Sequence, residues 1–416
     1  MQSLIILGRQ PKLGLAELES LYGADKVHPI ADTAAAIDVD PCLLAFDRLG
    51  GAVKFAKVLD TLNTTSWDEI GRYLSQNGPK QSEKLPQGKL HLGISAYGFN
   101  QSPKNVQRMG LQLKQAIRRT GRSVRVMPNN ESDLSSAQVI HGQLTRPNGW
   151  EILIIKNNQQ TVIAQTVKVQ DIKAYARRDQ SRPARDAKVG MLPPKLAQII
   201  INLASGLLPE EARQSVCDIP SYQQIPKPHF EDILLLDPFC GSGVILQEAA
   251  MMGYDCIGSD LSERMTEYSQ TNLDWIRSWQ NTPINSEVKI DILSADATTY
   301  RWPKQPTVIA SETHLGRPFS SIPKEAALKE VQADCERIIR NFLSNIGPQI
   351  KVGTRICLAI PAWRLANGEF AHLPLLDSIE VIGYNRVSFR HVLDEQLIYC
   401  RPEQIVAREL LVISKQ

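Results

Sequence analysis

The stretch Ile233-Leu234-Leu235-Leu236-Asp237-Pro238-Phe239-Cys240-Gly241-Ser242-Gly243 constrains this chain more than any other. Four consecutive apolar residues run into an aspartate, a loop with two glycines follows, and Val244 to Met252 continues with little polar surface. An apolar strand with no polar alternation fits the buried centre of a parallel sheet. Strand, tight loop and helix in that order predict an open α/β sheet, whose ligands bind beyond the carboxyl ends of the strands. Gly241 and Gly243 permit the tight turn and a close approach of backbone to ligand.

A second short strand, Cys256-Ile257-Gly258-Ser259-Asp260, also ends on an acid. A carboxylate there can accept both hydroxyls of a cofactor ribose. The first loop decides which cofactor. Dinucleotide loops read GxGxxG and place helix N–H groups on a pyrophosphate. This loop reads DxFxGxG. Its acid would repel a pyrophosphate and attract the ammonium of a methionine moiety. The pattern therefore predicts S-adenosylmethionine and argues against NAD. A third strand, with Ile290 and Ile292, precedes Asp296, and a fourth, Thr307 to Ala310, precedes Glu312. Acids at four strand ends, Asp237, Asp260, Asp296 and Glu312, predict one site.

The 416 residues have room for two or three domains. Residues 1–60 read as a small α/β unit, with helices over Leu13–Leu21 and Leu43–Leu49. Residues 61–172 read as an α+β unit: a helix from Trp67 to Leu74, a polar loop from Ser75 to Gly88, and a hairpin turning at Asn157-Asn158. Its helix from Asn105 to Thr120 carries Lys114, Arg118 and Arg119. Residues 173–189 form a basic linker, in which Tyr175 to Lys188 holds four arginines and a lysine against two aspartates. Read as extended, it can offer the paired donors of Arg177, Arg178, Arg182 and Arg185 to phosphates, although a hydrophilic hinge with internal Arg–Asp pairs has the same composition. Residues 190–416 hold the acid-tipped strands, with Ile379 to Phe389 among the closing antiparallel pieces. A formal net charge of +3 confines nucleic-acid contact to local patches. Seven cysteines without CxxC pairs argue against a zinc ribbon or disulfide scaffold and for a reducing compartment. Arg9 and Lys12 after a short apolar run argue against a secretory leader, and no stretch approaches ~18 apolar residues. The expected location is cytoplasmic, with no membrane and no metal.

Several segments together resemble a known group. They are Arg182-Pro183-Ala184-Arg185-Asp186, Gly190 to Ala197, Asn202-Leu203-Ala204, Asp237 to Gly243, Gly258-Ser259-Asp260-Leu261 and Asp296-Ala297. The chain resembles the tRNA guanine-N2-methyltransferases that join an N-terminal THUMP module to a class I RNA methylase domain. The resemblance covers about 180–300, with the N-terminal half similar in layout only. It implies a Rossmann-like methyltransferase sheet at the C-terminus, preceded by an α+β THUMP-like module that helps hold tRNA. It implies that S-adenosylmethionine is bound by Asp237, Phe239, Gly241, Gly243, Asp260, Leu261, Asp296 and Ala297, and that a guanosine amino group accepts the methyl. The family's catalytic motif is Asp-Pro-Pro-Tyr-Gly, but here the frame is Ser311-Glu312-Thr313-His314-Leu315-Gly316-Arg317. Glu312 stands for the acid; both prolines and the tyrosine are missing. An exocyclic amine needs acceptors and a flat partner for its base. Glu312 and a carbonyl near Thr313 are the candidate acceptors, with His314 or Phe319 as the stacking ring. A DNA amino-methyltransferase and a non-catalytic tRNA-binding protein that kept the pocket remain alternatives.

Overall fold

The computed structural model describes residues 3–186, 191–208 and 229–416. Ala187 and Lys188 of the basic linker, and Gly190 of the family-like segment, lie outside the described residues.

The chain forms two lobes, each built on one sheet. The first runs β1 (Ser3–Leu7), α1 (Pro11–Tyr22), β2 (Val27–Ala31), β3 (Ala34–Ile37), β4 (Ala52–Leu62), α2 (Trp67–Glu83), β5 (Leu90–Tyr97), α3 (Pro103–Arg118), β6 (Val124–Val126), α4 (Ser136–His141), β7 (Gly149–Asn157) and β8 (Gln160–Val169). Its strand order is β2-β3-β1-β4-β8-β7-β5-β6. Pairing is antiparallel except where β5 lies parallel to β6 and β7. The boundary expected near residue 60 falls inside β4, which pairs β1 on one side and β8 on the other. The two expected N-terminal units thus share one sheet, because β4 is long enough to serve both.

Other local readings need correction. Leu43–Leu49 is not an α-helix; it holds only the single-turn 3₁₀ pieces Pro41–Leu43 and Phe46–Arg48. The expected loop after Leu74 is helix as far as Glu83. Ile70, Leu74, Gly78 and Ser82 recur at four-residue spacing as its buried stripe. Gly78 is needed there, since a Cβ would come 2.3 Å from Leu113 Cδ1. The linker read as extended begins as helix α5 (Ile172–Gln180), capped by Asp171, whose carboxylate accepts from Ala174 N. The closing piece expected at Ile379 to Phe389 is mostly short turns around a three-residue strand.

The second lobe runs α6 (Pro194–Ser205), β9 (Phe230–Asp237), α7 (Val244–Met251), β10 (Tyr254–Asp260), α8 (Glu263–Arg277), β11 (Ile290–Ser294), β12 (Val308–Glu312), α9 (Glu325–Ile346), β13 (Arg355–Arg364), β14 (Phe370–Ala371), β15 (Tyr384–Arg386), β16 (Ile398–Tyr399) and β17 (Val406–Lys415). Its main order is β11-β10-β9-β12-β13-β17-β15. The first five strands are parallel, and β17 runs antiparallel against β13. This is a Rossmann-like sheet with the strand order typical of class I S-adenosylmethionine-dependent methyltransferases. The chain leaves β9 toward β10 and β11 on one side, then crosses to β12 and β13 on the other. The switch point therefore lies between β9 and β12, where such sheets place their ligands. Among the described residues no helix is long and apolar enough to cross a membrane.

One apolar core runs through both lobes, from Ile5 and Leu13 to Leu196, Leu235 and Leu410. Polar contacts seal the seam. Buried Glu17 accepts from Gly50 N (2.9 Å), Gly51 N (2.8 Å) and Asn202 Nδ2 (2.7 Å). Burial pushes its carboxyl up to about 7. A Cβ on Gly50 would meet the Lys195 carbonyl at 2.0 Å, so only glycine allows this approach. Farther along α1, the Glu19 carboxylate accepts from the backbone N–H groups of Arg390 and His391.

Candidate active site at the sheet switch point

Asp237 is the last residue of β9 and is 1% exposed. Its Oδ1 accepts from Ser311 Oγ at 2.5 Å and from Phe239 N at 3.3 Å. Burial pushes the carboxyl up to about 7, and the nearby Asp260 and Glu312 carboxylates add to that. The side chain is therefore a buried acid held by neutral donors, and a cation beside it would be strongly favoured.

The glycine loop is fixed from three sides. Gly241 and Gly243 have φ of +51° and +81°, and a Cβ on Gly243 would come 2.9 Å from Ser269 Oγ. Asp260, closing β10, accepts from Gly241 N at 3.0 Å and from Ser262 N at 2.9 Å. Ser269 Oγ donates to Gly241 O at 2.7 Å. Asn272 Nδ2 donates to Ser242 O (2.9 Å) and Ala184 O (3.0 Å), so the segment before α6 docks on the loop.

One crevice collects Asp186, Asp237, Phe239, Gly241, Met265 and Glu312. Asp260 reaches it through Gly241, and Gly243 shapes the loop at its wall. Leu261, Asp296 and Ala297 stand farther along the neighbouring strand ends. Leu261 is 77% exposed. Asp296 Oδ1 accepts from Thr298 N (2.8 Å) and Thr298 Oγ1 (2.7 Å), which fixes its turn.

Glu312 ends β12 with its side chain 18% exposed. Its Oε1 accepts from Nε of Arg408 on β17. Burial pushes the Glu312 carboxyl up, and the guanidinium opposes that. Neither Ser311 nor Arg408 was expected from the sequence. Arg408 lies 96 residues from Glu312 and carries no local motif. His314 is exposed beyond the strand, outside the crevice wall, and Phe319 lies under Arg317 at 5.5 Å.

The expected phosphate-binding arginines divide. Arg178 is buried and donates Nε and Nη2 to Glu248 Oε1 and Oε2 at 2.8 and 3.3 Å. Arg182 is 3% exposed, and among the described residues its closest acid is Asp179 at 3.7 Å and its Nε and Nη1 have no partner. Both are removed from any phosphate surface: Arg178, on α5, turns inward onto Glu248 of α7, and Arg182, just past the end of that helix, is buried as well. Arg177 is exposed and stacks on Trp279, 3.4 Å from the ring centroid, and Arg185 is exposed with Nη1 on Gln180 O at 3.0 Å. Arg118 and Arg119 are exposed at the end of α3. Arg118 joins Lys89, Lys114, Arg122 and Arg125 in a basic groove along edge strand β6. Arg122 there donates to the carbonyls of Ser82, Pro86 and Gly88, and so shapes the groove. Arg119 does not line it. Among the described residues no group of three or more His, Cys, Asp or Glu side chains is placed to hold a metal ion.

Residues 230–310 match the family described as "UPF0020: RMKL-like, methyltransferase domain". The matched span holds Asp237, the glycine loop, Asp260 and Asp296, and stops just before Glu312. The chain is also similar to a tRNA (guanine(10)-N2)-dimethyltransferase of Methanothermobacter thermautotrophicus, 29% identical over 127 residues. That match takes in 30% of this chain and spans only 32% of the relative's length. Among solved structures, TrmN from Thermus thermophilus is similar over 100% of both chains, at 17% identity and a TM-score of 0.49. A predicted N6-adenine-specific DNA methylase from Listeria monocytogenes covers 98% of this chain and 95% of its own, at 11% identity and a TM-score of 0.46.

Proposed function

We propose that this chain is an S-adenosylmethionine-dependent methyltransferase acting on the exocyclic N2 amine of a guanosine in tRNA. The observation that carries the reading is the set of carboxylates Asp237, Asp260 and Glu312, gathered at the switch point of a methyltransferase-type sheet. The similarity to a guanosine-modifying tRNA enzyme supports the substrate. The groove of Lys89, Lys114, Arg118 and Arg125 supports an RNA backbone as the partner of the N-terminal lobe, read as a THUMP-like module. The cytoplasm, where tRNA is processed, is the proposed location.

The residues fit the cofactor. The buried carboxyl of Asp237, raised to about 7, has no cationic partner among the described residues, and Asp260 ends the next strand as a ribose-type acid. When bound, S-adenosylmethionine supplies a methyl group already activated on a sulfonium. The chain's own residues do the rest. Ionised Asp237 holds the ammonium end. Asp260 keeps lone pairs for ribose hydroxyls beyond its two backbone donors. Leu261 covers the adenine and Asp296 accepts from its amine. Glu312 accepts from the guanosine amine and points the nitrogen at the donor. Positioning and fixed charge supply most of the acceleration.

The test is single-turnover transfer to tRNA from cells lacking the protein, followed by nucleoside mass spectrometry. N2-methylguanosine is expected, and Glu312→Gln should lower the rate by roughly 10²-fold, the scale of a few kcal/mol of lost transition-state interaction. Equal rates would end the assignment of Glu312. Methylated DNA with unmodified tRNA would replace the substrate. The outward position of His314 favours a second reading, a tRNA-binding protein; tRNA bound without transfer would establish it.

A further inference from the structure

We propose that Arg408 is a positioning residue for Glu312, fixing its carboxylate at the crevice and keeping it ionised. The inference rests on the reading of Glu312 as amine acceptor. Because β17 is antiparallel to the central strands, its first residues lie at their carboxyl ends, on the ligand side of the sheet. Glu312 pairs with Ala359 on β13, and Pro361, two residues on, pairs with Arg408. Arg408 therefore reaches over β13 to Glu312. The next residue, Glu409, is turned to the other face by the strand period. There it meets His372 at 2.7 Å and Arg386 at 3.9 Å. Only Arg408 of this pair addresses the crevice.

The charges around Glu312 make this contact necessary. Asp186 from the segment before α6, Asp237 from β9 and, through Gly241, Asp260 from β10 are all carboxyls. Burial disfavours a charge on Glu312, and its mutual repulsion with Asp237 works the same way, whereas Asp186 is paired with Arg264 at 2.7 Å. Arg408, itself 5% exposed, is the cation that touches Glu312. A protonated Glu312 would turn a donor toward the amine instead of an acceptor. A glutamate also has one more rotatable bond than an aspartate, and the bond from Arg408 Nε to Oε1 selects one orientation.

The experiment follows the Glu312 carboxyl by ¹³C NMR in the full chain labelled at glutamate Cδ, with the signal identified by its loss in Glu312→Gln. Arg408→Met should move the Glu312 titration up by about one pH unit or more. Arg408→Gln takes its place should the Met variant not fold. Arg408→Lys keeps the charge and should leave the titration near that of the wild type. With transfer as readout, the acid limb of the rate profile should shift by the same amount in the uncharged variants. In the Lys variant kcat should fall several-fold with KM for tRNA unchanged. An unmoved titration in the uncharged variants overturns the inference, and so does a Lys variant with wild-type kcat. A wild-type chain that titrates as expected but transfers no methyl group defeats the proposed function instead.

Discussion

The buried carboxyl of Asp237 makes cofactor affinity depend on pH in a calculable way. In the free protein its pKa stands at about 7, chiefly because burial disfavours the charge. A bound ammonium favours the charged form, so binding below pH 7 must displace a proton. Affinity should therefore rise with pH and level off above 7. For a single group of this pKa, S-adenosylmethionine should bind about eightfold more weakly at pH 6 than at pH 7.5, just below the range where an α-amino group itself loses its proton (~7.7–8.0). Asp237→Asn keeps an acceptor for Ser311 Oγ but cannot ionise. It should lose most of the pH dependence and, with a charged hydrogen bond worth roughly 1.5–3 kcal/mol gone, bind about 10- to 150-fold more weakly at pH 7.5. Isothermal titration calorimetry at the two pH values, on both proteins, reads all four constants. A flat wild-type affinity, or the same slope in Asp237→Asn, would refute the assignment. The free protein carries the opposite sign: a folded pKa above the unfolded one means this group's contribution to stability is lost as pH rises toward 7.

Two further outcomes follow from the arginines. Replacing Lys114, Arg118 and Arg125 with alanine should weaken tRNA binding and flatten its salt dependence by about 0.7–0.9 in log–log slope for each phosphate no longer neutralised, with cofactor affinity unchanged; an unaltered slope would remove the β6 groove from the RNA interface. Arg182→Met should leave tRNA affinity as it is and keep or raise Tm, since the guanidinium is buried with two nitrogens that have no partner among the described residues; a Tm lower by several degrees would show that it has one elsewhere.

The side of the crevice proposed for the cofactor is legible in sequence as a strand end and loop, because its signals are local. An apolar run that stops at Asp237, a glycine pair and an acid after the next short strand specify a strand end and its loop with no knowledge of the rest. The catalytic side is less legible. Glu312 is visible as a strand-end acid, but its partner on β17 depends on the order of strands in the sheet, which no window of residues contains. The arginines of α5 show the limit of composition. Arg177, Arg178 and Arg182 look equivalent in a basic run. On the helix Arg178 faces α7 and its buried Glu248 while Arg177 faces outward, so the angle around the helix tells these two apart; Arg182 lies past the helix end and is buried in the segment that follows. The boundary near residue 60 fails for a similar reason, since a strand pairing on both sides looks in sequence like the last strand of one unit.

The bonds that Glu19 accepts from the backbone of Arg390 and His391 join residues 371 and 372 positions apart. A ribosome adding about 5–20 residues per second needs on the order of 20–70 s to supply that partner after α1 has emerged. Throughout that interval α1 lacks the receptor for its terminal carboxylate. Until residues 194–205 are made it also lacks the helix that covers its leucines. The first lobe can close its sheet as soon as β8 exists, but its edge facing the second lobe must stay unfinished until translation is nearly complete. Synthesis order thus makes α1 the last-satisfied part of the first lobe, and the segment most in need of a chaperone's cover while the chain is being made.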